Sequence, residues 1–135
     1  MIITLDVSAA IEFVMGRKKQ NIIKNKLEKA EWIISPTLFI YEASNTMWKY
    51  NSITDYPRSK ITHKIRHLIN LIDQFIEADD IYEEAISMSC KINHPAYDAM
   101  YLTTCRRKSG NLLTLDSRLI EAAEKTGVSV INIEN

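Results

Sequence analysis

HPAYDAMYLTTCRRKSGNLLTLDSRL, from His94 to Leu119, reads as a helix, a short turn and a buried strand ending in a carboxylate. Pro95 and Asp98 stand where the helix begins, because proline tolerates the first turn and an acid there meets the positive end of the helix dipole. Tyr97, Met100, Tyr101, Leu102 and Cys105 follow at helical spacing, with Arg106, Arg107 and Lys108 in the last turn and Gly110 as the stop. Asn111 to Leu115 is a nearly continuous apolar run, the pattern of a parallel strand covered on both faces. Asp116 ends it, and a helix from Ser117 to Lys125 begins at once. Asp98 and Asp116 therefore fall at facing ends of adjoining elements, where two carboxylates can converge on one oxygen-seeking divalent cation.

The N-terminus repeats this arrangement. IITLDVSAAIE and LLTLDSRLIEAAE both run apolar pair, Thr, Leu, Asp, then a helix, so Asp6 occupies the same kind of strand-to-helix junction as Asp116. Aspartate is a common helix N-cap, which accounts for a single such motif. Two of them together with Asp98 form a pattern that capping does not explain. In open parallel α/β sheets the carboxyl ends of the strands form the crevice where ligands sit.

The chain has 135 residues, enough for one domain over 1–135 that folds without staples. Lys plus Arg and Asp plus Glu number 17 each, so no global field marks a nucleic-acid or membrane binder. Basic residues do cluster from Arg17 to Lys29 and from Arg58 to Arg66, segments that are either solvated helix faces or contacts for phosphates. Cys90 and Cys105 have apolar neighbours and no ligand spacing, so both read as reduced core residues. Neither a signal peptide nor a membrane-length apolar run is evident, which leads us to expect a cytoplasmic protein.

Strands are expected at Met1 to Leu5, Trp32 to Ser35, Phe75 to Ala78, Asn111 to Leu115 and Val128 to Ile133, alternating with helices. Ser8 is expected to cap the first helix, which Gly16 ends, and Thr37 to cap the helix that runs to Asn51. On that helix Leu38, Tyr41, Met47 and Trp48 are expected inside, and Glu42 shares a face with Asn45. His63 and His67 have a zinc-compatible spacing but no evident third ligand. The class is α/β with a largely parallel five-stranded sheet flanked by helices.

Taken in order, Asp6 with Ser8, Glu42 with Asn45, HPAYDAMYL around Asp98 and LLTLDSRL around Asp116 resemble a PIN domain of the VapC type. The resemblance covers essentially the whole chain. It implies strand order 3-2-1-4-5 and a magnesium- or manganese-dependent endoribonuclease, often a homodimer, acting as the toxin of a type II toxin-antitoxin pair. Asp6, Glu42, Asp98 and Asp116 match the family's catalytic and metal-binding acids, and Ser8, Asn45 and Thr114 its neighbouring polar residues. The sequence departs from the pattern just after the last Asp. Ser117 and Arg118 stand where many PIN nucleases carry a further acid, which bears on whether a second metal site is complete.

The chemistry of the acids points the same way. Two carboxylates about 5 Å apart repel by roughly 3 kcal/mol at an effective dielectric near 20, and a hard divalent ion relieves that conflict. Arg17, Lys18, Lys19, Arg106 and Arg107 are candidates to hold RNA phosphates, with transfer or ribosomal RNA the substrates the resemblance suggests. Trp32, Phe39 and Trp48 lie on or beside the helices Gln20 to Lys29 and Thr37 to Asn51. They suggest a groove for an apolar antitoxin helix that would send a basic side chain toward the acids. The alternatives are a catalytically silent PIN-like scaffold that binds RNA or protein, and a metal-dependent phosphatase. A phosphatase of the haloacid-dehalogenase type wants DxD after the first strand, where this chain has DVS.

Overall fold

The computed structural model describes residues 1–134. Four strands, β1 (Ile2–Leu5), β2 (Trp32–Pro36), β3 (Gln74–Ile76) and β4 (Asn111–Leu113), form a parallel sheet in the order β3-β2-β1-β4. Helices α1 (Val7–Val14) and α2 (Gln20–Glu28) join β1 to β2, and α3 (Leu38–Thr54) and α4 (Arg58–Asn70) join β2 to β3. The chain then passes through α5 (Ala78–Ile92) and α6 (Ala96–Lys108) to β4, on the far side of β1, and α7 (Ser117–Thr126) follows. The reversal of strand order falls between β1 and β4, so the crevice beyond their carboxyl ends is the switch point of the sheet.

Alternation along the strands divides the core into two layers. Ile3, Leu5 and Leu113 point toward α1 to α4 and pack with Ala9, Ile23, Phe39, Met47 and Leu68. Leu112 points the other way, to Ala85, Leu102, Cys105, Leu119 and Ala122 on α5, α6 and α7. Helix α6 lies directly over β1, β2 and β4 and is buried at Asp98, Ala99 and every position from Tyr101 to Cys105. That burial raises the Cys105 thiol to about 12, which keeps it an inert core residue. Cys90, by contrast, is exposed on α5, contrary to its expected place in the core.

Several expected boundaries and faces shift. Strand β4 ends at Leu113 rather than Leu115. Among the described residues the segment after Gly127 meets β4 at a single parallel bridge, Leu112 to Val130, so the fifth position of the sheet is occupied without a full strand. Ser109 (φ 52°) ends α6 in the left-handed conformation that Gly110 was expected to supply. Gly110 has a different use, because a Cβ there would lie 3.0 Å from the buried Thr4 hydroxyl. Ser8 is not a cap, since the residue preceding α1 is Asp6; Thr37 does stand at the N-cap position of α3, but with αR backbone and no side-chain capping bond.

On α3 the core face is Phe39, Ala43 and Met47, an i, i+4 series, which turns Tyr41 and Trp48 outward at 74% and 58% exposure. Helix α2 packs chiefly on α1 and α3 chiefly on α4, so α2 and α3 do not wall the common groove expected between them. Phe39 is fully buried and packs at a tilt against Phe75, with ring centroids 6.0 Å apart, which removes it from any docking surface. Among the described residues no helix is long and apolar enough to cross a membrane.

Candidate active site

The register of β1 and β4 builds the centre of the site. Leu5 pairs with Leu113, and the Asp6 N–H donates to the Leu113 carbonyl at 3.0 Å. Asp6 is therefore level with Thr114, not with Asp116, and the two TLD motifs are offset by two residues. Thr114 and Ser8 both donate hydroxyl protons to Asp6 Oδ2, each at 2.6 Å. The same two oxygens accept backbone N–H groups where β4 has left the ladder: Leu115 N–H reaches Ser8 Oγ at 2.9 Å, and Asp116 N–H reaches Thr114 Oγ1 at 3.0 Å. A hydroxyl has one proton to give and can accept, so each of these side chains is satisfied in both directions.

Asp6 stands at an N-cap position but makes no capping bond, and its carboxylate is spent instead on this network. Asp116 does cap its helix, accepting the Arg118 N–H on Oδ1 at 3.0 Å. Asp98 enters from the first turn of α6, on one face of the sheet, and Glu42 from α3 on the other. Tyr101 spans the gap, its hydroxyl donating to Glu42 Oε1 at 2.6 Å.

Burial and mutual repulsion act together on these acids. Burial pushes the Asp6 carboxyl above its usual range, against the lowering effect of Ser8 and Thr114, and the charge of Asp116 adds to the rise. Glu42 is pushed up to about 7, chiefly by burial, with Tyr101 opposing and Asp6, Asp98 and Asp116 contributing repulsion. Asp98 is raised by burial and by Asp116, with the Arg118 guanidinium pulling the other way. Tyr101 is held well above its ordinary value by burial and by the neighbouring negative charges, so it remains a donor to Glu42.

Asp98 Oδ2 is buried and has no hydrogen-bond partner, although the Arg118 Nε stands 3.2 Å away and His94 Nδ1 3.8 Å away. His94 Nε2 lies 3.3 Å from Lys125 Nζ, and an ammonium only donates, so in this contact Nε2 is the acceptor and Nδ1 is the ring nitrogen turned to Asp98. Among the described residues no group of three His, Cys, Asp or Glu side chains is set to hold a metal ion. The donor set is nonetheless all oxygen, crowded with negative charge, and includes one orphaned buried carboxylate oxygen, which together suit a hard divalent cation.

A cleft of about 440 Å³ runs from Asp6, Glu42 and Asp116 to Arg17 and Tyr50. Arg17 donates to the Tyr50 hydroxyl at 2.7 Å, and its Nε stands 3.4 Å from Glu12. Glu42, Thr46 and Tyr50 are the α3 residues lining this cleft, one per turn, whereas Asn45 is exposed on the flank and does not take its expected place. Lys18 is exposed, and Lys19 donates its backbone N–H to Glu12 Oε2 at 3.0 Å. Arg106 and Arg107 are at the opposite end of α6 from Asp98, in a groove between α5, α6 and α7, where Arg107 pairs with Glu84 at 2.6 Å. The structure thus separates these two arginines from the acids. His63 and His67 are both exposed on α4.

A parallel sheet with acids from α3, α6 and two strand ends gathered at its switch point defines a recognisable class. The chain matches the PIN domain family over residues 3–125 and belongs to it. Among its relatives, Ribonuclease VapC3 of Pyrobaculum aerophilum is 22% identical over 124 residues, covering 90% of this chain and 94% of that protein. The crystal structure of PAE2754 from Pyrobaculum aerophilum is similar with a TM-score of 0.71 at 20% identity, over 90% of this chain and 79% of that one. FitAcB from Neisseria gonorrhoeae gives a TM-score of 0.64 at 16% identity, over 97% of both chains. At these identities the likeness to the solved structures is one of fold.

Proposed function

We propose that the protein is a divalent-metal-dependent endoribonuclease and the toxin of a toxin-antitoxin pair. The observation that carries this reading is the mutual repulsion that links Asp6, Glu42, Asp98 and Asp116, three of whose carboxyls are raised chiefly by burial and further by one another's charge. The family match and the VapC3 relative support it. Asp6, Asp98 and Asp116 are the residues that would hold magnesium or manganese, which supplies positive charge to the scissile phosphodiester and eases the ionisation of a water.

The chain's own residues do the remaining work. Ser8 and Thr114 fix the Asp6 carboxylate, and Thr114 ties Asp116 to the same frame. Glu42, held at one oxygen by Tyr101 and titrating near neutrality, is suited to orient the attacking water and accept its proton. Arg17 marks the route of the RNA strand along the cleft, where its exposed guanidinium can meet a neighbouring phosphate. With few such contacts, affinity for RNA is modest and salt-sensitive, and target choice rests on the shape of an exposed loop. Sequencing of new 5′ ends after induced expression tests the reading directly. Discrete cuts in transfer or ribosomal RNA are expected; an unchanged RNA profile with continued growth would count against it.

The outward stripe of Tyr41 and Trp48 on α3 is the apolar surface available to an antitoxin helix. Trp48→Ala is expected to weaken the complex with a co-expressed antitoxin at least ten-fold in Kd while changing the isolated melting temperature by under about 2 °C. Pull-down and melting curves on the same variant separate the two effects. Loss of the fold together with the complex would return Trp48 to a structural role.

A further inference from the structure

Arg118 touches two of the four acids at once: its backbone N–H donates to Asp116 Oδ1 at 3.0 Å and its guanidinium Nε stands 3.2 Å from Asp98 Oδ2. It is the second residue of α7, a position where a cation opposes the helix dipole, so the helix itself gives no reason for an arginine there. The acids do. The Asp98 side chain is only 8% exposed, whereas that of Arg118 is 60% exposed. One partner is fixed and dehydrated; the other is a long arm that reaches in from solvent and can swing out again. The 3.2 Å contact misses ideal hydrogen-bond alignment at Oδ2, and the charge of the guanidinium is its larger effect on Asp98.

We propose that Arg118 is a built-in counter-ion that occupies Asp98 until a divalent cation displaces it, and that it thereby sets the affinity of the site for that cation. The inference rests on the metal-binding reading above. A guanidinium and a divalent ion both seek Asp98 Oδ2, and two cations cannot share that oxygen without repelling each other. A cation that takes Oδ2 therefore has to displace the arginine contact. An ion pair with one exposed partner is worth about 1 kcal/mol, which corresponds to roughly five-fold in affinity. The arrangement makes the metal-free chain tolerant of its own acid cluster and raises the ion concentration needed to load it.

Titration calorimetry with manganese chloride on the metal-free wild type, Arg118→Gln and Arg118→Lys tests this, together with melting curves of each with and without manganese. Arg118→Gln is expected to bind manganese about five-fold more tightly and to melt lower than wild type without the ion, with the difference closing at saturating manganese. Arg118→Lys, which keeps the charge, is expected to stay near wild type. Equal or weaker binding by Arg118→Gln, or a lysine variant that behaves like the glutamine one, overturns the counter-ion role while the metal site stands. Absence of manganese binding in all three proteins overturns both.

Discussion

Asp98→Asn is expected to lower RNA cleavage by at least about a thousand-fold, some 4 kcal/mol of transition-state stabilisation, while leaving the metal-free protein as stable as wild type or more so. The two effects have opposite sign for one reason. Asp98 is a buried carboxylate whose ionisation is resisted by burial and by Asp116, so removing its charge relieves the fold. The same charge is what would bind a cation and act on phosphate. Arg118, released from the pair, is mostly solvated and bears little cost. Single-turnover cleavage assays and chemical denaturation on the same preparations check both halves. Activity within ten-fold of wild type, or a marked loss of stability, would remove Asp98 from the site.

A second large effect concerns pH. Glu42 has an ordinary pKa of 4.5 and is raised to about 7 in the folded chain, so between those values the folded state binds more protons than the unfolded one. Stability from this group is fully present below about pH 4.5 and is lost as pH rises through 7. Allowing for partial solvent access at Glu42, the loss is on the order of 2 kcal/mol. Glutamine keeps an oxygen to accept the Tyr101 hydroxyl but has no proton to lose. Metal-free Glu42→Gln is therefore expected to match wild type near pH 4.5 and to exceed it by about that amount at pH 8. Denaturation midpoints across this range decide the matter; parallel profiles for the two proteins would show that Glu42 ionises without strain.

The order of elements, and with it the place of each acid along the chain, was legible because the signals are local. The apolar run before Asp6 marks a strand end, the one before Asp116 overruns β4 by two residues, and an acid three residues after Pro95 marks a helix start. What was not legible depends on how elements are rotated and registered against each other. Asn45 and Thr46 differ by 100° around α3, and only the packing of Phe39, Ala43 and Met47 places Thr46 beside Glu42 in the cleft. Tyr101 reads in sequence as one more apolar residue on α6, yet its hydroxyl secures Glu42 from across the sheet. The repeated TLD suggests that Asp6 and Asp116 are equivalent, whereas pairing Leu5 with Leu113 makes Thr114 the neighbour of Asp6. In sequence Arg118 marks only the place of a missing acid, and its reach to Asp98 depends on how α7 sits beside α6. The last strand fell short because among the described residues Val130 alone bridges to β4, and an alternating pattern does not say how far an edge will pair.

The pairing of β1 with β4 also has a meaning in time. Asp6 is bound by a hydroxyl 108 residues later in the chain, and its backbone N–H needs Leu113 in place. During synthesis, β1, α1 and Glu42 emerge long before the residues that complete the crevice, and long-range parallel pairing is a slow closing step. A growing chain therefore carries its first two acids without their partners. The crevice is complete only once β4 has docked beside β1.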